Sequence, residues 1–312
     1  MTRIWILLLS LCMNSCHSQE WSYSGETGPA NWHKMYPTCG GENQSPISIL
    51  TTEAEEMAML NFTWTGFGDD PPNGASMTLS NLGTTVQVNF TGDYLISGGG
   101  LTNTYKATML HFHWDENGVH GSEHTLDEVR YPIEMHLVGY DFEKYDDFDS
   151  ALSHPEGIIV VATFLEITSE DNPNYSEMFT GFNSVTYKGQ SYQYPSPFPI
   201  LPMLPYNTWD FYRYHGSLTT PACDEGVLWT VFVQYQQISH DQFSNFNTLM
   251  SNFEGEENVP LSNNYRPVQP LNGRSVYRRI DGELAFSKST EFRINTWMTC
   301  VAVVLYYWTT SL

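Results

Sequence analysis

The sequence predicts a mainly β protein folded as a single domain. Three observations lead there. Apolar runs at residues 84–90, 110–114, 133–140, 157–166 and 227–235 have the length of strands, and the first alternates Val86, Val88 and Phe90 with polar partners. Helical patterning is weak by comparison. Finally, a chain of 312 residues with 41% hydrophobic content and no internal repeat suits one all-β unit of roughly 250 residues between two short terminal segments.

Taken in order, residues 1–18 read as a secretion signal: Arg3 supplies the positive start, residues 4–12 are apolar, and small and polar residues follow to Ser18. The apolar stretch is too short to span a bilayer. An aromatic segment broken by Gly and Pro runs to about residue 45 and opens the main domain, residues 19–285. The runs at 157–166 and 227–235 are rich in β-branched residues, as strands buried on both faces should be. The proline-rich stretch 194–205 reads as a surface segment rather than a domain boundary. Residues 145–152 suit a short helical turn. Ser239-His240-Asp241-Gln242 is a cap and start signal, followed by apolar residues at Phe243, Phe246, Leu249 and Met250. Residues 286–312 form a spacer with small residues at Ser287, Ser289 and Thr290, then an apolar run at 297–308 with no basic residue after it. This pattern is that of a glycosylphosphatidylinositol attachment signal; a short spanning or interfacial segment is the alternative. The formal charge of −22 argues against nucleic acid as a partner, since such a surface repels phosphates.

The chemistry concentrates in three histidines. His111 and His113 share one face of the run Thr-Met-Leu-His-Phe-His-Trp, because side chains in a strand alternate. His136 lies in a second strand, with Glu134 two residues before it on the same face. Three imidazoles from two adjacent strands can form three legs of a tetrahedral metal site and leave the fourth position open, the arrangement of a catalytic zinc. A carboxylate at Glu134 can fix the tautomer of a ligating His136. A single strand histidine is more often an ordinary hydrogen-bonded residue, so the weight rests on the constellation. Gly-Ser-Glu-His-Thr, residues 121–125, places a further carboxylate, Glu123, between the two strands.

His-Phe-His-Trp, Gly-Ser-Glu-His-Thr and Glu-Met-His-Leu-Val resemble the zinc site of the α-class carbonic anhydrases. The resemblance extends to Trp21, Tyr23, Gly28-Pro29 and Trp32, to Gln44-Ser45-Pro46-Ile47, to the loop 214–221 ending Gly-Ser-Leu-Thr-Thr-Pro, and to Asn264-Tyr265-Arg266-Pro267-Val268-Gln269-Pro270. It covers residues 20–281. It implies a large, twisted, mostly antiparallel sheet with small peripheral helices, and zinc-dependent reversible hydration of CO2 to bicarbonate. Zn2+ is the implied cofactor, held by His111, His113 and His136, with Glu134 and Asn264 supporting the ligands. Thr219 and Glu123 are the implied catalytic pair. Thr219 and Thr220 place the substrate against an apolar wall of Val138, Val160, Leu218, Val227 and Trp229. Val138 also follows His136 by two, on the same strand face. Each wall residue, Trp229 above all, would serve equally as ordinary core.

Two positions depart from the family pattern. Fast members carry a proton-ferrying histidine where this chain has Thr84, and a threonine cannot titrate near neutrality. Family members commonly support the first zinc ligand with a Gln where this chain has Met109, a weak acceptor. Among five cysteines, Cys12 and Cys16 fall in the leader and Cys300 in the tail, which leaves Cys39 and Cys223 as one pair. In extracellular members of the family a bridge joins these two regions. Asn61, Asn89 and Asn174 are glycosylation candidates. The expected setting is therefore the secretory pathway and the outer cell surface, through a lipid anchor as in the type IV-like members, or release from the cell. CO2 and bicarbonate are the expected small-molecule partners, and the sequence names no bicarbonate-transporter partner. The competing class is a catalytically weak relative acting as a binding or mineral-matrix protein, which usually loses a zinc histidine; all three are present here.

Overall fold

The computed structural model describes residues 21–281; the leader 1–18 and the segment 286–312 expected from the sequence lie outside the described residues. Thirteen strands join in one sheet. Ten form a continuous path: Ser191–Gln193, Ser76–Asn81, Val86–Thr91, Tyr105–Trp114, Ile133–Asp141, Ile158–Thr168, Glu225–Phe232, Phe211–Ser217, Tyr277–Asp281 and Glu55–Met59. All five strand runs read from the sequence are present: the second starts earlier, at Tyr105, the first starts at Val86 rather than residue 84, and the fifth ends at Phe232, short of residue 235. The helices are short and peripheral. His240–Ser244 starts where the cap signal places it, with Ser239 Oγ accepting the Gln242 N–H and Gln242 Oε1 accepting the Ser239 N–H.

Most pairings are antiparallel, as expected. At the centre, Ile158–Thr168 runs parallel to Glu225–Phe232. Parallel neighbours need a crossover connection, and residues 169–224 supply it. Ile158 through Leu165 are buried on both faces, which accounts for the unbroken apolar run.

One irregularity decides where the histidines point. On Tyr105–Trp114, Tyr105 and Ala107 face the main core, and so do Leu110, Phe112 and Trp114. The parity changes because Ala107 pairs with Gly139 while Met109 pairs with Val138, so Thr108 is an extra residue in a β-bulge. Without it, His111 and His113 would point into the core, since a one-residue shift turns every side chain over. With it, they project from the opposite face. The second apolar cluster, containing Val138, Val160, Ala162, Val227 and Trp229, lies on that face.

The turn 121–125 passes close against the ends of both histidine strands. A Cβ at Gly121 would lie 2.3 Å from the Asp115 nitrogen and 2.3 Å from the Pro132 oxygen, so only glycine fits. Buried Arg266 ties the closing loop to the amino-terminal segment: Nη1 donates to Gln44 Oε1 and the Ser45 carbonyl, each at 2.8 Å, and Nη2 to the Cys39 carbonyl at 3.0 Å. Cys39 and Cys223 form the disulfide read from the sequence, spanning 184 residues with Cα atoms 4.9 Å apart. Replacing both by serine should lower unfolding stability by up to about 4–5 kcal/mol in the chain-entropy view. A thermal melt of the variant beside the wild type checks this, and an unchanged melting temperature would show that the bridge constrains nothing.

Candidate metal centre

The three predicted ligands converge. His136 Nδ1 lies 3.1 Å from His113 Nε2 and 3.3 Å from His111 Nε2. All three donor atoms fall within 4.8 Å of one another. Cross-strand register explains this, because His111 pairs directly with His136 and His113 sits two residues further along the same face.

Tautomers follow from the outer contacts. His113 Nδ1 lies 2.7 Å from the Asn264 carbonyl, which can only accept, so Nδ1 carries the hydrogen. His136 Nε2 lies 2.6 Å from Glu134 Oε1 and carries its hydrogen there. The inward nitrogens, His113 Nε2 and His136 Nδ1, are therefore bare unless the rings are cationic. Burial, reinforced by the neighbouring rings, pushes the His111 pKa well below its ordinary value. Burial pushes His113 down to about 3 and lowers His136 as well. All three are neutral at pH 7. Two bare lone pairs 3.1 Å apart repel, and a shared cation turns that repulsion into coordination. The donor set of three neutral imidazoles suits zinc. Among the described residues, His124, Glu134 and His136 also lie close together. Their nitrogen–oxygen contacts are hydrogen bonds already satisfied by protons and need no metal.

Glu134 is fully buried and accepts four hydrogen bonds. Oε1 takes the rings of His124 at 2.7 Å and His136 at 2.6 Å; Oε2 takes the backbone N–H groups of Glu123 at 2.9 Å and His124 at 2.8 Å. Burial alone would raise its pKa, but the two rings outweigh it and hold the carboxyl well below the usual range. Glu134 and Asn264 each hydrogen-bond one of the three rings. Asn264 acts on His113 through its backbone carbonyl, while its side chain staples the loop to the strand through the Trp114 N–H and the carbonyls of Phe112 and Thr84. His111 differs: its Nδ1 is buried without a hydrogen-bond partner, the consequence expected of Met109.

Sequence reasoning passed over His124 in this role. Its second nitrogen meets the Tyr214 hydroxyl at 2.7 Å, and that hydroxyl bonds Ser45 Oγ at 2.9 Å. A buried relay thus runs from Ser45 to the ring of His136. The signal was the position of His124 beside Glu123 in a turn that Gly121 pins against both strands.

Glu123 Oε1 accepts the Arg266 N–H at 2.8 Å. Burial raises its pKa, the charge of Glu134 adds to this, and the Thr219 hydroxyl and Arg266 oppose it. Thr219 thus lies beside this carboxylate, although Oε2 has no partner in good hydrogen-bond geometry. Thr219 is buried and Thr220 half-buried. Of the five wall residues, Val138, Val160, Val227 and Trp229 belong to one cluster, and Leu218 packs against it. The Trp229 ring stands edge-on 4.9 Å from that of His136, and its Nε1 donates to the Ser217 carbonyl at 3.0 Å. Thr84 lines a pocket of about 510 Å³ with Trp21, Tyr23, Lys188 and Asn264; no histidine lines it among the described residues.

A mainly β domain carrying three neutral, convergent histidines, His111 among them partly exposed, fits a metalloenzyme of the water-activating class. Residues 27–280 match the model of the eukaryotic-type carbonic anhydrases. Carbonic anhydrase 3 of Sus scrofa is 36% identical over 264 residues, covering 83% of this chain and 98% of that protein. Carbonic anhydrase 1 of Monodelphis domestica is 35% identical over 260 residues, covering 82% and 97%. The chain belongs to the eukaryotic-type carbonic anhydrase family, whose members are zinc enzymes. It is accordingly a carbonic anhydrase.

Proposed function

We propose that the protein carries out reversible CO2 hydration at the cell exterior, with zinc held by His111, His113 and His136. The convergence of three ring nitrogens, two of them bare by their outer hydrogen bonds, carries this reading. Zinc, when bound, supplies a hydroxide nucleophile near neutral pH, an effect for which carbonic anhydrases are themselves the standard example. The protein's residues do the rest. Glu134 and the Asn264 carbonyl hold two rings in the tautomers that present their lone pairs inward. Glu123 spends Oε1 on the Arg266 N–H, which leaves Oε2 to accept from the Thr219 hydroxyl. With a dication held by the histidines, the charged form of Glu123 would be favoured and that contact strengthened. With its proton committed, the Thr219 oxygen can only accept, so it aligns the attacking group by one hydrogen bond. Val138, Val160, Leu218, Val227 and Trp229 offer CO2 an apolar surface, and Thr220 borders it.

The extracellular setting is supported by the Cys39–Cys223 bridge, which belongs to oxidising compartments. The leader, the three sequons and the apolar tail of the sequence support it further. Purified protein should contain one zinc per chain and hydrate CO2 in a stopped-flow assay. A phosphatidylinositol-specific phospholipase should release it from cells. Zinc-free, inactive protein would end the catalytic reading; protein that stays on cells with residues 297–312 intact would replace the lipid anchor by a membrane segment.

Each turnover leaves a proton to be exported, and Thr84 has no group to carry it. Turnover should therefore rise steeply with added imidazole buffer. Thr84→His should raise turnover at low buffer and leave kcat/KM for CO2 nearly unchanged. No response to either change would assign the proton to another path.

A further inference from the structure

The strand Val86–Thr91 has two unlike faces. Val86, Val88 and Phe90 enter the main core, while Gln87, Asn89 and Thr91 face the other way. Its register with the histidine strand pairs Gln87 with His111 and Asn89 with Met109. Residues directly opposite in an antiparallel pair share a face. Asn89 therefore stands on the same face as the metal ligands, about 7 Å along the strand from the residue that opposes His111. It is exposed, whereas His111 is only partly so and His113 and His136 are buried. That places Asn89 at the outer edge of the surface that leads to the cluster.

Asn89-Phe90-Thr91 has the pattern of an N-glycan acceptor. Gln87 Nε2 donates to Asn89 Oδ1 at 2.8 Å, and no described residue accepts from Asn89 Nδ2, the atom that would be glycosylated. The other sequons differ. Asn174 Nδ2 donates to the Pro202 carbonyl at 3.1 Å, and Asn61 Oδ1 is taken by Arg279 at 2.8 Å.

We propose that Asn89 carries an N-linked glycan that forms one side of the mouth of the histidine cavity and selects against bulky ligands. Asn89 stands one two-residue step from the residue opposite His111, so an extended glycan of several sugars has the reach to border the opening. In the modification, Asn89 Nδ2 bonds to the anomeric carbon of a lipid-pyrophosphate-linked oligosaccharide. The C–O bond to the pyrophosphate breaks, the lipid pyrophosphate leaves, and the amide nitrogen gives up one proton. CO2 is small enough to pass unhindered. The inference rests on the extracellular reading above, since that co-reactant belongs to the secretory pathway.

The test uses the full chain expressed in secreting eukaryotic cells. Peptide mass mapping before and after enzymatic deglycosylation should show glycan at Asn89. On zinc-loaded enzyme, an aryl sulfonamide with a bulky tail should associate several-fold faster after glycan removal. The same gain should appear in Asn89→Gln and in Thr91→Ala, which keeps the amide but destroys the sequon. Thiocyanate binding and kcat/KM for CO2 should not change. A bare Asn89, or equal association rates with and without the glycan, overturns the proposal. If Asn61 or Asn174 is occupied and Asn89 bare, only this inference fails. If all three are bare on a chain that retains residues 1–18, the extracellular reading fails with it.

Discussion

Changing His111 to alanine should reduce zinc from one per chain toward zero and abolish CO2 hydration. His113 and His136 are each locked from behind, by the Asn264 carbonyl and by Glu134. His111 alone lacks such a lock, because its Nδ1 is buried and unpartnered. Removing this ring leaves two nitrogens, one short of the three protein ligands that catalytic zinc sites use. The fold should survive, since the core face of the same strand, Leu110, Phe112 and Trp114, is untouched. Full zinc content in the variant, measured by atomic emission after dialysis, would refute the ligand assignment. The opposite change makes the same point. Met109→Gln offers an acceptor on the face of His111 and should tighten zinc about 10-fold or more, the usual scale of an outer-contact effect. Chelator competition reads that shift; an unchanged affinity would mean that the bulge holds residue 109 out of reach of Nδ1.

Much of this site was legible because strand periodicity is simple. His111 and His113 share a face by spacing alone, and so do Glu134, His136 and Val138. Less was legible where backbone geometry decides. Alternation says that the two histidines agree with each other, but the bulge at Thr108 determines that they avoid the core. Asn264 was expected beside the ligands, yet it supports His113 with a backbone carbonyl, a group every residue carries and no side-chain reading singles out. His124 sits in a turn, where no periodicity assigns a direction. The runs at 157–166 and 227–235 announced buried strands. Their parallel pairing was silent, because burial on both faces says nothing of strand direction.

Glu134→Gln should weaken zinc binding by about 10–100-fold and destabilise the metal-free fold as well. The substitution keeps size and shape and changes only charge and donor pattern. The carboxylate accepts from two rings and two backbone N–H groups, all buried. A carboxamide has one oxygen, and its NH2 group must face donors. Each oxygen serves two donors, so two ring or backbone N–H groups lose their acceptor, at a cost of about 1–3 kcal/mol for each orphaned donor. If the amide oxygen stays with the Glu123 and His124 N–H groups, the NH2 group faces His136 Nε2. That ring can then relieve the clash by moving its hydrogen to Nδ1, the very atom that must present a lone pair inward. Zinc binding and folding are thus coupled through one oxygen atom, Oε1. Two readouts separate the contributions: zinc release to a chelator from the loaded enzyme, and thermal unfolding of the metal-free protein. A purely structural role predicts a lower melting temperature with normal zinc affinity in the folded variant. The geometry predicts that both fall, and a variant that melts lower while holding zinc as tightly as the wild type would show that Glu134 does not set the tautomer of His136.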